Sequence, residues 1–346
     1  MTAPTARGNA RRPRLLVGAA TAVLLLVLGL VLGLRPGDGD HGCRVSSTGS
    51  ATCGLWWGGA LTATNSALPA AVATQQQATG RRLDIVHTYH RWYDDFPTAS
   101  ERALAGTGHL LLLNWEPVDQ QGGLMPWASI AAGAQDAQIN DLAARLRTLP
   151  EVLVSFSHEP ELKWPKHGGT ADFVAAFRHV HDLMEADGAH NVSWVWDMMG
   201  LDNPSWLARY PQLWPGNSYV DWVAWDPYNS AGCEPDHQWL SFAQTVGPLY
   251  RWLEAHGFGD KPFMLAEYGT VEKPGDPAGK ADWYAGIPSA LSALPNLRAL
   301  VYFDIGAPPA NCNWQISTSA ISARAFAGLA RSQPFRGTAT LDIGAH

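Results

Sequence analysis

Two glutamates stand at the ends of apolar runs and are the first residues to suggest chemistry. Glu159 comes directly after the run 152–158, and Glu267 ends the run 262–267. Two carboxyl groups held about 5–5.5 Å apart can cleave a glycosidic bond with retention, because one protonates the leaving oxygen while the other attacks the anomeric carbon. The pair is therefore the candidate catalytic site, and a hydrogen bond from a neighbour such as Tyr228 would keep Glu267 ionised.

Other acidic residues also close apolar runs and could supply the pair instead: Asp226, Asp304, Asp197 and Glu116. Each glutamate taken alone could also cap a helix or pair with an arginine. We favour Glu159 and Glu267 because they stand at the ends of the fourth and seventh of eight predicted strands. In a closed barrel of parallel strands, the carboxyl ends of all strands share one rim.

The elements that would position these side chains alternate along the chain. The eight apolar runs are 55–58, 83–89, 109–115, 152–158, 192–197, 220–226, 262–267 and 300–304. Helical spacing of apolar residues predicts helices between them, among others over 136–148, 171–187, 237–256 and 282–294. This alternation predicts an α/β fold, a (β/α)₈ TIM barrel over 55–335. An open doubly wound sheet is the alternative, although the first turn lacks its G-x-G-x-x-G signature.

Tryptophan is abundant, with 16 residues, all beyond position 55. The indole ring can stack on the apolar face of a sugar. Four tryptophans lie at or just past predicted strand ends, and for these we predict sugar contacts: Trp115, Trp164, Trp225 and Trp314. We assign four others to the core: Trp194, Trp222, Trp252 and Trp283.

The first 54 residues have a different character. Four arginines precede the uncharged run 15–34, which is long enough to span a bilayer, and Arg35 follows it. We predict a basic tail and a transmembrane anchor or signal segment over 1–35, with the N-terminus inside, and a linker over 36–54. The rest of the chain would then be extracellular, membrane-anchored or secreted.

Charge and cysteine usage narrow the class of protein further. Charged residues make up 16% of the chain, and 31 acidic against 24 basic residues leave a net charge of −7, which excludes a general nucleic-acid binder. All four cysteines follow residue 42, and we favour the disulfides Cys43–Cys53 and Cys233–Cys312. We predict no metal and no cofactor, because the spacings of zinc sites and the phosphate-binding motifs are missing.

Several segments together resemble glycoside hydrolase family 26, which includes many β-mannanases. The resemblance covers most of 55–330 and rests on NWEP (114–117), IAAGAQD (130–136), His158-Glu159 with Trp164, FRHVH (177–181), GAHNVSWVW (188–196), WPGNSYVDWV (214–223), DPYN (226–229) and KPFMLAE (261–267). Each segment alone is weakly specific, whereas their ordered series is strong. The family's barrel and retaining mechanism are what this resemblance implies.

Carried over by position, the resemblance implies that Glu159 is the acid/base and Glu267 the nucleophile. It further implies that His158 is the histidine beside the acid, that Trp164 contacts sugar, and that Tyr228 orients the nucleophile. The chain departs from the family pattern at Ser155, Pro160 and Glu161, which bears on the choice of sugar.

The sequence therefore predicts a monomeric, endo-acting glycoside hydrolase whose partner is a β-linked polysaccharide, with β-1,4-mannan first among the candidates. A non-catalytic carbohydrate-binding protein on the same fold is one alternative. A metal-dependent hydrolase is the other.

Overall fold

The computed structural model describes residues 43–46, 54–61, 65–234, 236–306, 312–335 and 339–342. Eight strands form its central sheet: β1 Trp56–Leu61, β2 Ile85–Arg91, β3 Leu110–Glu116, β4 Val152–Phe156, β5 Val192–Met198, β6 Trp222–Trp225, β7 Phe263–Thr270 and β8 Leu297–Asp304. Each coincides with a predicted apolar run to within a few residues. Apolar runs of this length suit strands that are buried on both faces.

The eight strands are parallel and close into a barrel. Each strand pairs with its neighbour in chain order, and β8 pairs with both β7 and β1. This closure confirms the predicted (β/α)₈ barrel, and the open doubly wound sheet is wrong. A two-residue strand, Tyr228–Asn229, pairs with the end of β7 at Gly269 and Thr270. Separately, strands Cys43–Ser46 and Ala339–Asp342 pair in parallel.

Helices follow the strands around the outside of the barrel. They are α1 Leu68–Thr79, α2 Ala99–Gly106, α3 Trp127–Ala131, α4 Asp136–Leu146, α5 Pro160–Lys163, α6 Thr170–Ala186, α7 Pro204–Leu207, α8 Phe242–Ala255, α9 Gly279–Leu291 and α10 Ala320–Ala330. Capping boxes begin two of them: Thr98 with Glu101 at α2, and Ser241 with Gln244 at α8. These side chains satisfy amide groups that have no partner within the helix.

Alternation along the strands separates two apolar layers. One fills the barrel and includes Trp56, Ile85, Leu112, Trp222 and Met264. The other lies between strands and helices and contains most of the large aromatic side chains. Because successive side chains of a strand point to opposite faces, the parity of a residue decides whether it faces the barrel axis or the helices. That parity determines which rim residues can reach a substrate.

The two predicted disulfides have different outcomes. Cys233 and Cys312 form a disulfide with Cα atoms 5.1 Å apart, which confirms that pairing. Cys53 lies outside the described residues, as does the predicted membrane or signal segment. No helix within the described part of the chain is long and apolar enough to cross a membrane.

Candidate active site

Glu267 lies near the end of β7, where two tyrosines hold its carboxylate. Tyr228 donates a hydrogen bond to Oε2, and Tyr89 at the end of β2 donates one to Oε1 over 2.7 Å. The pairing of β7 with β8 shifts register between Leu265 and Tyr268, an irregularity that puts an extra β7 residue inside the ladder. Such an extra residue re-aims a side chain. Glu267 thereby faces the barrel mouth while Tyr268 packs in the outer layer.

Opposing influences act on the pKa of this carboxyl group. Glu267 is 6% exposed, and burial, together with the charge of Glu159, raises its pKa. The charge of His158 and the two tyrosine hydroxyls oppose that rise, since each favours the ionised form. A carboxylate held by two hydroxyl donors is fixed in orientation, as attack on an anomeric carbon requires.

Glu159 is presented by a tight turn after β4. Ser157 and Glu159 both have positive φ, 52° and 48°, a conformation that L residues adopt only where the surroundings enforce it. Both neighbouring strands supply that support. The Ser157 amide donates to the carbonyl of Trp115 and the Glu159 amide to that of Asp197, each over 2.9 Å. The Glu159 side chain is 20% exposed and so remains accessible.

His158 directly precedes Glu159 in the same turn, and its ring is fixed by Glu116. The His158 Nδ1 contacts Oε1 of Glu116, whose Oε2 lies 3.1 Å from Nζ of Lys163. Although burial opposes it, the charge of Glu116 raises the pKa of His158 to about 9. The same contacts hold the pKa of Glu116 at about 2, again against burial. His158 is therefore an imidazolium at neutral pH.

The other acidic candidates take structural or enclosed positions. Asp197 and Asp226 are 2% and 0% exposed, and burial raises the pKa of each well above its ordinary value. Asp304 accepts hydrogen bonds from the side chain of Gln75 and the amide of Ile316. Glu161 is fully buried, and its Oε1 accepts from the Gly200 amide and the Tyr210 hydroxyl. Burial raises the pKa of Glu161 to about 7.

For two of the four tryptophans, the prediction of a sugar contact is wrong. Trp115 and Trp225 are both 0% exposed and belong to the layer between strands and helices. The ring of Trp115 stacks on Trp92 at 3.9 Å between centroids. By the alternation along its strand, each of these two tryptophans faces the helices. The residues that follow them, Glu116 and Asp226, face the barrel axis.

The other two tryptophans lie on the rim and are half-buried. The Arg209 guanidinium covers one face of Trp164, 3.7 Å from the ring centroid. Trp314 packs against Tyr228 at 4.7 Å, and its carbonyl accepts a hydrogen bond from Tyr302. The sugar contacts of these two tryptophans stay predictions. Trp314 is the more directly connected to the Glu267 site, because it packs against Tyr228, which donates to Glu267.

Sequence reasoning missed Tyr89 and Lys163. Tyr89 has the same parity as Ile85, which faces into the barrel, and it ends the predicted second strand. That combination was a usable signal. Lys163 lies on the short helix α5 and gives no pattern in the sequence. Nowhere in the described ranges are three or more His, Cys, Asp or Glu side chains grouped as metal ligands.

We expect Tyr228→Phe to lower kcat about 10- to 100-fold with little change in KM. The variant removes a hydrogen bond to a charged group, worth about 1.5–3 kcal/mol, and leaves the ring in place. The acid limb of kcat/KM should also move to higher pH, because Glu267 loses a donor that favours its ionised form. Tyr250→Phe is the matched control, since Tyr250 donates to Glu254 on α8. An equal loss of kcat in both variants would contradict the role of Tyr228 as the donor that orients Glu267.

Known proteins similar to this chain were found by sequence and by structure. No protein-family model matches the chain. The chain is similar to endoglucanase H of Acetivibrio thermocellus, 28% identical over 321 residues that cover 89% of this chain and 32% of that protein. It is also similar to a beta-1,3-xylanase of a Vibrio species, 28% identical over 144 residues that cover 40% of this chain and 28% of that protein. The chain thus spans about a third or less of these relatives.

Solved structures share the fold at lower identity. One is the catalytic domain of a family 26 endo-beta-1,4-mannanase from Bacillus sp., with a TM-score of 0.59 and 15% identity, covering 84% of this chain and 91% of that chain. Another is a family 26 beta-mannanase from Bacteroides ovatus, with a TM-score of 0.55 and 16% identity, covering 89% and 93%. These structures share the (β/α)₈ barrel with this chain, which confirms the fold that the resemblance to family 26 implies.

Proposed function

We propose that this protein is a retaining, endo-acting glycoside hydrolase of β-linked polysaccharides. Glu267 would attack the anomeric carbon as nucleophile, and Glu159 would protonate the leaving oxygen and then activate water. The observation that carries the proposal is the environment of Glu267, a buried carboxylate that accepts hydrogen bonds from two tyrosine hydroxyls and whose ionised form is favoured by the charge of His158. The relatives named as an endoglucanase, a xylanase and mannanases support the same reaction class.

The two carboxyl groups have environments suited to their separate tasks. Glu267 is enclosed and hydrogen-bonded through both oxygens, which suits an ionised nucleophile of fixed direction. Glu159 is more exposed and stands on a turn, where it can exchange protons with a leaving group and with water. His158 Nε2 lies 4.0 Å from Oε2 of Glu159, so a cation adjoins the group that must cycle between protonated and ionised forms.

Among substrates we propose β-1,4-mannan first, on the basis of the family 26 mannanase structures. Release of reducing ends should be measured on mannan, glucomannan, mixed-linkage glucan, β-1,4-xylan and β-1,3-xylan. We expect the highest rate on mannan or glucomannan, and NMR of the first product should show the β anomer. A first-formed α anomer would exclude retention. Binding without release from any polymer would favour a carbohydrate-binding protein, and zinc-restorable loss of activity on chelation would favour a metal-dependent hydrolase.

We also propose that the protein is exported and either membrane-anchored or secreted. The Cys233–Cys312 disulfide supports this location, because disulfides persist in oxidising compartments. Sequencing the N-terminus of the mature protein distinguishes the two forms. A product that begins near residue 40 would indicate a cleaved signal, and an intact N-terminus in the detergent fraction would indicate an anchor.

A further inference from the structure

His158 is a cation beside Glu159, and the contacts of Glu116 show what makes it one. Glu116 is the last residue of β3, and its side chain is 14% exposed. Its two carboxylate oxygens each take one partner, His158 on Oε1 and Lys163 on Oε2. Lys163 also donates to the carbonyl of His158. The histidine is thus held through both its ring and its backbone.

The orientation of the ring follows from these contacts. A carboxylate only accepts hydrogen bonds, so Nδ1 of His158 must carry a proton toward Glu116. The opposite nitrogen, Nε2, then points toward Glu159, from which it is 4.0 Å away. Tyr89 adjoins the same ring, with centroids 6.0 Å apart. The imidazolium therefore lies between Glu116 on one side and the Glu159 carboxyl on the other.

The charges around His158 come from several strands. Lys163 and His87 oppose its positive charge, whereas Glu116 and Glu159 favour it. Asp197 and Glu267 also interact with it across the barrel mouth. In this mainly acidic mouth, His158 is the neighbour whose charge most favours ionisation of Glu267.

We propose that Glu116 is a positioning residue of the reaction, which fixes His158 as an imidazolium so that its charge keeps the nucleophile Glu267 ionised. The inference rests on the proposed function and adds a residue that acts only through His158. Without Glu116, burial and the charge of Lys163 both favour the neutral ring. The nucleophile would then lose the charge that most favours its ionised form.

The direct test is an NMR titration of the His158 ring in the wild type and in Glu116→Gln. We expect the wild-type ring to stay protonated to about pH 9 and the variant ring to be neutral at pH 7. An unchanged titration midpoint would overturn the inference. Because this readout needs no turnover, it remains informative if the protein cleaves no polysaccharide and the proposed function fails.

The kinetic test uses the acid limb of kcat/KM, where Glu267 must lose its proton. We expect Glu116→Gln to move this limb upward by about one pH unit, with Glu116→Asp restoring much of the wild-type profile. His158→Gln should give the same shift, and the double variant should shift no further than His158→Gln alone. Additive shifts would mean that Glu116 acts independently of His158 and would overturn the inference.

The matched control is Glu101→Gln. Glu101 forms a second buried glutamate–histidine pair, 2.9 Å from His90. It caps α2 and stands outside the catalytic groups. We expect this variant to lose stability but to keep the wild-type acid limb. A limb that moved equally in the control would assign the effect to loosened packing and overturn the inference.

Discussion

Replacing Glu267 by alanine is expected to lower kcat/KM on the preferred polysaccharide by at least about 10⁴-fold. Without the carboxylate no glycosyl-enzyme can form, and losses of this size follow removal of a covalent nucleophile. Added azide should restore part of the rate, because the alanine leaves room for a small anion at the anomeric carbon. The azide then displaces the leaving oxygen, Glu159 supplies the proton, and the product is the α-glycosyl azide.

The stereochemistry of that product makes the test specific. A single displacement inverts the anomeric centre, so NMR should show only the α-azide. A β-azide would mean that Glu267 is not the nucleophile. Glu254→Gln, an exposed glutamate on α8, is the control for removal of a carboxylate, and it should retain wild-type activity.

For Glu159→Ala we expect a loss of about 10²- to 10⁴-fold on polysaccharide, the range typical of general acid–base catalysis. The loss should be far smaller in the first step for an aryl glycoside whose phenol leaves without protonation. On such a substrate the glycosyl-enzyme should accumulate as a burst, because the base for the second step is also missing.

Azide also distinguishes the role of Glu159 as acid/base from that of Glu267 as nucleophile. In Glu159→Ala it should attack the glycosyl-enzyme in place of water and give the β-azide, since two inversions restore the original configuration. An equal loss on aryl glycosides and polysaccharide would contradict a role in protonating the leaving group. Glu185→Gln, on the outer helix α6, provides the surface control.

The strands and their order were predictable because each is a continuous apolar run, and a closed parallel barrel buries both faces of its strands. The positions of the two glutamates at strand ends were predictable for the same reason, as the strand ends of a barrel share one rim. The apolar runs do not specify which face of the sheet the last side chains of each strand occupy. Trp115 and Trp225 were assigned to the rim because they end strands, yet each is one position away from facing it.

Other features depend on contacts that only the folded chain brings together. The irregular register at Glu267 turns it inward against the simple alternation that Met264 begins. Lys163 reaches Glu116 from a helix of four residues, whose length carries no amphipathic pattern. The burial of Glu161 against Tyr210 likewise arises from a loop distant in sequence.

The Cys233–Cys312 disulfide has a consequence for how the protein must be made. It links the segment after Tyr228 to the segment that carries Trp314, across 79 residues of sequence. Closing a loop of that length contributes up to about 4–5 kcal/mol to the free energy of unfolding. A chain produced in a reducing cytosol would form the same barrel without this tether. Its rim would be less stable than its core, and preparations from different hosts would differ in heat resistance.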